Sequence, residues 1–247
     1  MATRRIRISA AIVTIALCIL AVRYGPAIVG LLYTKWEVRN ATDLWIVPTP
    51  LSDLSINRSP GKRFAYLGYE FESPWTEVNK ERKGESIAVL NFSGGEVISI
   101  SKGSNILGSM RQEAMRRGAD IRDVFGDQAT GSNYAMHSKI LYLTPRDLRL
   151  FSAPQQMVAN SILLSLKKIW TGTAKGGLYS FQTEWVRGFQ EGSPARNNVV
   201  TIDAFDEQDH EIEFLIGTEP HTSRTPSQED INRILFSLRP VDSSLTK

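Results

Sequence analysis

The sequence predicts an α+β protein: an antiparallel sheet packed with helices, preceded by an N-terminal transmembrane helix. Three observations predict it. An uncharged run of fifteen residues, 8–22, follows a leader with three arginines. Further on, β-rich segments with period-two alternation stand on either side of segments with helical spacing. The chain then closes on a segment in which Ile231, Ile234, Leu235 and Leu238 make an i, i+3, i+4, i+7 stripe ahead of Pro240. The resulting order is strands, helices, strands, helix, with no internal repeat, as in folds that segregate helices onto one sheet.

The N-terminal element comes first. Residues 1–7 are basic, residues 8–22 are apolar, Arg23 interrupts, and residues 27–33 (AIVGLLY) resume the apolar character. A basic leader before an apolar run is shared by cleaved signals and uncleaved anchors. Small residues at cleavage spacing are missing around Val22, Arg23 and Tyr24, with 25–27 the nearest substitute. Leu17 before Cys18 departs from a lipoprotein site. An uncleaved anchor is therefore expected, with secretion after signal cleavage as the alternative. Fifteen helical residues reach only about 22 Å, against a hydrocarbon core of about 30 Å. Ile6, and snorkelling of Arg7 and Arg23, close part of that gap. The arginine-rich leader places the N-terminus in the cytoplasm and the domain on the extracytoplasmic side; Lys35 and Arg39 reduce the asymmetry without reversing it. Tyr33 and Trp36 are residue types that favour the membrane interface.

Charge follows the same division. The whole chain carries 29 Lys+Arg against 26 Asp+Glu, a net of +3. Arg4, Arg5, Arg7 and Arg23 fall in residues 1–34, which hold no acid, leaving 25 bases against 26 acids in the remainder. The basic pI belongs to the anchor, so no nucleic-acid partner is expected. Cys18 is the only cysteine. The rest of the chain therefore forms neither an internal disulfide nor a Cys-based metal site, which is compatible with a periplasmic domain. The expected division is 1–34 signal anchor, 35–62 connector, 63–240 extracytoplasmic domain and 241–247 C-terminal tail.

The connector is punctuated by Pro48, Pro50 and Pro60, with Leu44, Trp45, Ile46 and Val47 a possible short strand. Residues 64–73 (FAYLGYEFES) read as one aromatic-rich strand closed by Pro74. Residues 86–92 and 96–101 flank Ser93, Gly94 and Gly95 and read as a hairpin. Helices are expected over 106–117, stopped by Gly118; over 132–143, with Tyr134, His137, Ile140 and Leu141 on one face; and over 154–170, on the stripe Val158, Ile162, Leu166 and Ile169. Three strands follow at 178–189, 199–205 and 211–216; the first places Tyr179, Phe181 and Trp185 on one face. The last helix is expected to be capped by Thr225, with Pro226 in its first turn.

The chemistry-bearing residues form no recognised motif. His137, His210 and His221 lack metal-ligand spacing. A packed role is expected for His137. The acidic run Asp203, Asp206, Glu207, Asp209, Glu211 and Glu213 lacks the glycine and closing glutamate of a calcium loop and reads as a solvated hairpin with outward carboxylates. No nucleophile elbow, P-loop or dinucleotide fingerprint occurs, and Gly94, Gly95, Gly176 and Gly177 read as turn glycines. Arg111, Arg116, Arg117 and Arg122, interspersed with Glu113, Asp120 and Asp123, read as a solvated helix face. Asn40, Asn57 and Asn91 begin glycosylation-type triplets. No catalytic, cofactor-binding or metal residue is nominated, and no cofactor is implied.

The segments 177–189, 199–216 and 231–239 (INRILFSLR), with 68–75 (GYEFESPW), resemble the PsbP-like fold group; the helical segment between Ile106 and Phe151 departs from it. The segments 132–137 (SNYAMH), 143–145 and 188–190 resemble stretches of membrane-anchored bacterial proteins. The resemblances imply an antiparallel α+β fold, a membrane location and a binding or accessory role, without implying an activity. The functional expectation is a membrane-anchored, non-catalytic binding or accessory module with a protein or small-molecule partner. The alternative is a hydrolase whose polar residues meet only in the fold.

Overall fold

The computed structural model describes residues 2–40, 44–52, 54–103, 106–127, 129–148, 153–171, 176–220, 222 and 225–241. In chain order it runs through α1 (Ala2–Val38) and a two-residue β1 (Thr49–Pro50). The hairpin β2 (Lys62–Tyr66) and β3 (Tyr69–Ser73) comes next, followed by the meander β4 (Val78–Lys83), β5 (Ile87–Phe92) and β6 (Glu96–Lys102). The helices α2 (Ile106–Arg116), α3 (Ile121–Phe125), α4 (Asn133–Leu141) and α5 (Pro154–Thr171) come as one block. The strands β7 (Leu178–Gln182), β8 (Val186–Glu191), β9 (Val199–Asp206) and β10 (Glu211–Thr218) precede α6 (Gln228–Ser237) and the short β11 (Arg239–Pro240).

The main sheet has the order β1-β7-β8-β9-β10-β6-β5-β4, and a smaller one the order β11-β3-β2. The expected α+β architecture is present, but the main sheet is mixed: β1 lies parallel to β7 through Thr49 and Pro50, while the other described pairings are antiparallel. Sequence periodicity cannot reveal a two-residue edge pairing contributed by a connector.

Two expected single strands are hairpins. Residues 62–73 fold back at Leu67 and Gly68, both with positive φ, the backbone of a tight turn matched to strand twist. Residues 178–191 fold back around Trp185, which stands exposed at the turn instead of sharing a face with Tyr179 and Phe181. In both cases the continuous aromatic pattern conceals the reversal. β4 (VNKERK) has no apolar alternation because it is an edge strand, where lysines and arginines discourage further pairing. α6 starts later than expected. Ser227, not Thr225, is the N-cap, and Ser227 and Asp230 form a reciprocal capping box.

The inner face of the main sheet carries the row Ala88, Ile100, Phe214, Ile202 and packs under α6, through Ile231, Ile234, Leu235 and Leu238. The small hairpin closes this core, with Phe71 edge-on to Phe214 at 5.4 Å between ring centroids. On the outer face, α4 and α5 cover β7, β8, β9 and the start of β10: Tyr134, Leu141 and Trp170 pack on Leu178, Phe189 and Phe205, and His137 reaches Glu211. The helices α2 to α5 share a separate core above that layer.

α1 bends by 44° between Leu17–Gly25 and Ala27–Val38. Pro26, at the break, has no N–H to offer the preceding turn. No single helix among the described residues is long and apolar enough to cross a membrane; the bent pair meets that requirement together, by length and composition. Beyond the bend the helix belongs to the domain: Ala27 and Leu31 pack against Met157 and Val158 of α5, and Thr34 and Val38 are buried further along the same side.

Candidate functional site

The outer face of the sheet is half covered, and its polar residues gather where the cover ends. Strand register sets the rows. Phe189, Asp203, Glu213, Ser101 and Ile87 form one row across β8, β9, β10, β6 and β5. The neighbouring row is Glu191, Thr201, Leu215, Ser99 and Val89. At the β8–β9 end these rows lie under the helices. At the β10–β6–β5 end they face outward: Ile87 is 47% and Leu215 38% exposed, and Val199 at the same face is 48% exposed. Ser99, Ser101 and Val89 are half-buried.

The carboxylates at the boundary are not solvated, contrary to the expectation for this acidic hairpin. Strand alternation does turn Glu211 and Glu213 away from the inner core, but the direction it turns them is towards a helical layer. The Glu211 side chain is only 6% exposed, and its Oε2 has no hydrogen-bond partner among the described residues. Burial, followed by repulsion from Glu213 and Asp209, pushes this carboxyl up to about 7. Asp203 is pushed well above the ordinary carboxylate range, chiefly by burial and then by Glu191, Glu211 and Glu213; part of the residue reaches solvent, but its carboxyl group is enclosed. Glu213 accepts a hydrogen bond from Ser101 Oγ at 3.1 Å. Gly103 lies against the Glu211 side chain so closely that a Cβ there would overlap it.

His137 stands over Glu211, with Nε2 3.6 Å from Oε1, longer than a hydrogen bond. The imidazole stacks on Trp170 at 4.1 Å between ring centroids and meets Phe205 edge-on. Burial drives its pKa down to about 4, despite the opposing Asn133 carbonyl and the Asp209 charge. At neutral pH the ring is uncharged. Its Nδ1–H then donates to the Asn133 carbonyl at 3.2 Å, and the Nε2 lone pair faces Glu211. The expected packed role of His137 is therefore found.

Asp209 positions this pair. In a left-handed conformation at φ 64, it accepts hydrogen bonds from the backbone N–H groups of Asn133 and Tyr134 and from the Ser132 hydroxyl. Ser132 is the N-cap of α4, accepting the Ala135 N–H, and the hairpin-turn carboxylate supplements it where the helix dipole favours negative charge. Neither residue signals the other in sequence, since they are 76 positions apart.

A second histidine meets a carboxylate at the same hairpin. His210 Nδ1 is 3.2 Å from Asp206 Oδ2, which also accepts the Tyr69 hydroxyl at 2.8 Å. Asp206 Oδ1 accepts the backbone N–H groups of Gln208 and His210, so this carboxylate is first of all a turn cap. Among the described residues, no serine, threonine or cysteine hydroxyl or thiol bonds to His210. His221 lies outside the described residues. Among the described residues, no group of three or more His, Cys, Asp or Glu side chains is arranged to hold a metal ion.

Elsewhere, Arg116 and Arg117 both pair with Glu113, at 2.8 and 2.6 Å, giving the solvated face read from the sequence. Tyr179 and Phe181 join the inner core. Lys167 carried no functional signal in the sequence, yet it is fully buried, donating to the carbonyls of Leu141 at 2.6 Å and Ile46 at 3.0 Å. Burial brings this amine down to about 8. A shallow recess of about 220 Å³ lies nearby, between the end of α1 (Lys35, Val38, Arg39) and the turn at Pro145 and Leu148. No family model, curated protein or solved structure matches this chain, so the resemblance to the PsbP-like group stands on element pattern alone.

Proposed function

We propose that this chain is a single-pass membrane-anchored domain on the extracytoplasmic side that acts as a non-catalytic binding or accessory module. The half-open outer sheet face is its binding surface. The observation that carries the reading is the exposure of Ile87, Val199 and Leu215 on strands whose opposite side is a finished core. Exposed apolar side chains set beside half-buried hydroxyls fit a surface that a partner covers. The arginine-rich leader and the apolar run that follows support the anchor and its orientation.

A photoreactive residue at Leu215 or Ile87 of the full chain in cells tests the surface, with Arg63 on the small sheet as control. A discrete adduct is expected from the two sheet positions, and it should disappear when Val199 is changed to Arg. Identical patterns at all three positions would sink the assignment. A cysteine at Ile87 in a Cys18→Ser background should react with an impermeant maleimide in intact cells. Reaction only after lysis would reverse the orientation.

The second reading, a hydrolase, draws on the Asp206–His210 pair. His210 is exposed and Asp206 orients its ring, as a general base requires. On that reading His210→Gln abolishes hydrolysis of simple esters. A wild-type chain with no hydrolysis above buffer removes it.

A further inference from the structure

The part of α1 beyond its bend is apolar on two opposite sides, and the domain covers only one of them. Ala27, Leu31, Thr34 and Val38, spaced four, three and four residues apart, face the domain and are buried. Val22, just before the bend, and Val29, Tyr33 and Trp36, beyond it, spaced seven, four and three apart, share the opposite side, with Leu32 beside them. They are 79%, 65%, 58% and 56% exposed, and Leu32 is 49% exposed. A helix with apolar side chains on two sides needs apolar surroundings on both. The uncovered side chains make a continuous strip on the order of several hundred Å², large for a surface meeting only water.

We infer that this strip is covered by the phospholipid bilayer, so that α1 holds the domain flush against the membrane instead of suspending it on a tether. The inference rests on the anchor reading and adds the surface that touches lipid. Continuity supports it, because the strip prolongs the uncharged run 8–22 on the same helix, and no acid occurs before Glu37. Residue types support it as well. The Tyr33 and Trp36 rings lie 6.1 Å apart, and the Arg39 guanidinium sits over the Trp36 ring at 4.9 Å. Aromatics with a neighbouring cation belong at the level of phosphate headgroups.

The bend fits the same placement. The uncharged run alone is too short, but residues 8–25 span about 27 Å, nearly the hydrocarbon thickness. With the first segment along the membrane normal, a 44° bend reduces the rise beyond Pro26 to about 1.1 Å per residue along that normal. Val29 and Tyr33 then lie about 3 to 8 Å beyond the span, across a headgroup layer about 5 to 8 Å deep, and Trp36 lies about 11 Å beyond it, just outside that layer.

Site-directed spin labelling of the full chain in phosphatidylcholine–phosphatidylglycerol vesicles tests the inference. Nitroxides are placed at Val29 or Leu32 in a Cys18→Ser background, at native Cys18 as the depth reference, and at Leu215 as the water-facing reference. All are exposed positions, so the fold tolerates the label. The expected result is that labels at 18, 29 and 32 collide with oxygen several-fold more, relative to a water-soluble nickel chelate, than the label at 215. A label at 18 in lipid with labels at 29 and 32 behaving like 215 overturns the flush placement and leaves the anchor standing. A label at 18 in water overturns the anchor and the placement together. Spin–spin broadening at 29 that disappears on dilution with unlabelled chain means that a second copy covers the strip, which also overturns the inference.

Discussion

Replacing Glu211 with Gln exchanges a carboxyl held up to about 7 for a neutral group of the same shape. The sign follows from proton binding. Between its ordinary value near 4.5 and about 7, Glu211 holds a proton in the folded chain and loses it in the unfolded one. Its contribution to stability therefore falls as pH rises through that window. His137 works in the opposite direction. Between about 4 and its ordinary 6.5, only the unfolded chain holds that proton, so stability rises with pH. In the native protein the two slopes largely offset one another between about 4.5 and 6.5.

Glu211→Gln removes one slope and exposes the other. The interval from 4.5 to about 7 gives a ceiling of about 3 kcal/mol at ~1.4 kcal/mol per pH unit. Solvent screening and local relaxation bring the expected gain at pH 8 to about 1–2 kcal/mol. Denaturant unfolding of the full chain in detergent micelles between pH 4 and 9, followed by tryptophan fluorescence, measures it. Asp203 also loses stability as pH rises above its ordinary range, but it is present in both proteins and largely cancels in the difference. The variant should be the more stable of the two at pH 8, with the advantage vanishing near pH 4.5. A variant less stable than wild type at pH 8 would refute the reasoning, because it would mean that ionised Glu211 makes favourable contacts in the fold.

Three further outcomes are expected from the same measurement. Lys167→Met leaves the Leu141 and Ile46 carbonyls without their donor and should cost about 2 kcal/mol. Because burial lowers the amine from 10.5 to about 8, wild-type stability rises with pH above about 8, so the deficit should widen when the same titration is carried on to about pH 10; a deficit that shrinks contradicts the placement of Lys167. Asp209→Ala strips the carboxylate from the first two amides of α4, leaving the Ser132 N-cap, and puts a non-glycine, non-Asx residue at positive φ, for a loss of about 1–3 kcal/mol, whereas Asp209→Asn should lose about half of that; equal stability of the two variants would dismiss the role of the carboxylate. Gly103→Ala drives a methyl into the Glu211 side chain and should destabilise by about 1–3 kcal/mol, and an unchanged midpoint would show that the contact is loose.

Much of the architecture was legible because it is written in local periodicity. The stripe of α6, the long run of α5 and the alternation of β5, β6, β9 and β10 each report which side meets a core. The reversals at Leu67–Gly68 and around Trp185 were not legible, since an aromatic-rich pattern continues through both turns. The parallel pairing of β1 depends on a contact between Thr49 and Tyr179, which no local pattern encodes.

The candidate site divides in the same way. By itself, the sequence determined that Glu211 and Glu213 turn away from the core of Ile212, Phe214 and Ile216, because strand geometry alternates side chains whatever surrounds them. It also determined the run of uncharged residues ahead of Arg23, because composition alone makes a segment apolar. Only the tertiary structure decided what lies on the far side of each. α4, held from 76 residues away by Asp209, turns one outward carboxylate into a buried group whose pKa burial raises, while Leu215 stays open. α5 covers one side of α1 and leaves Val29, Tyr33 and Trp36 bare. Pattern fixes the direction of a side chain, but the dielectric it meets belongs to whichever distant segment packs there.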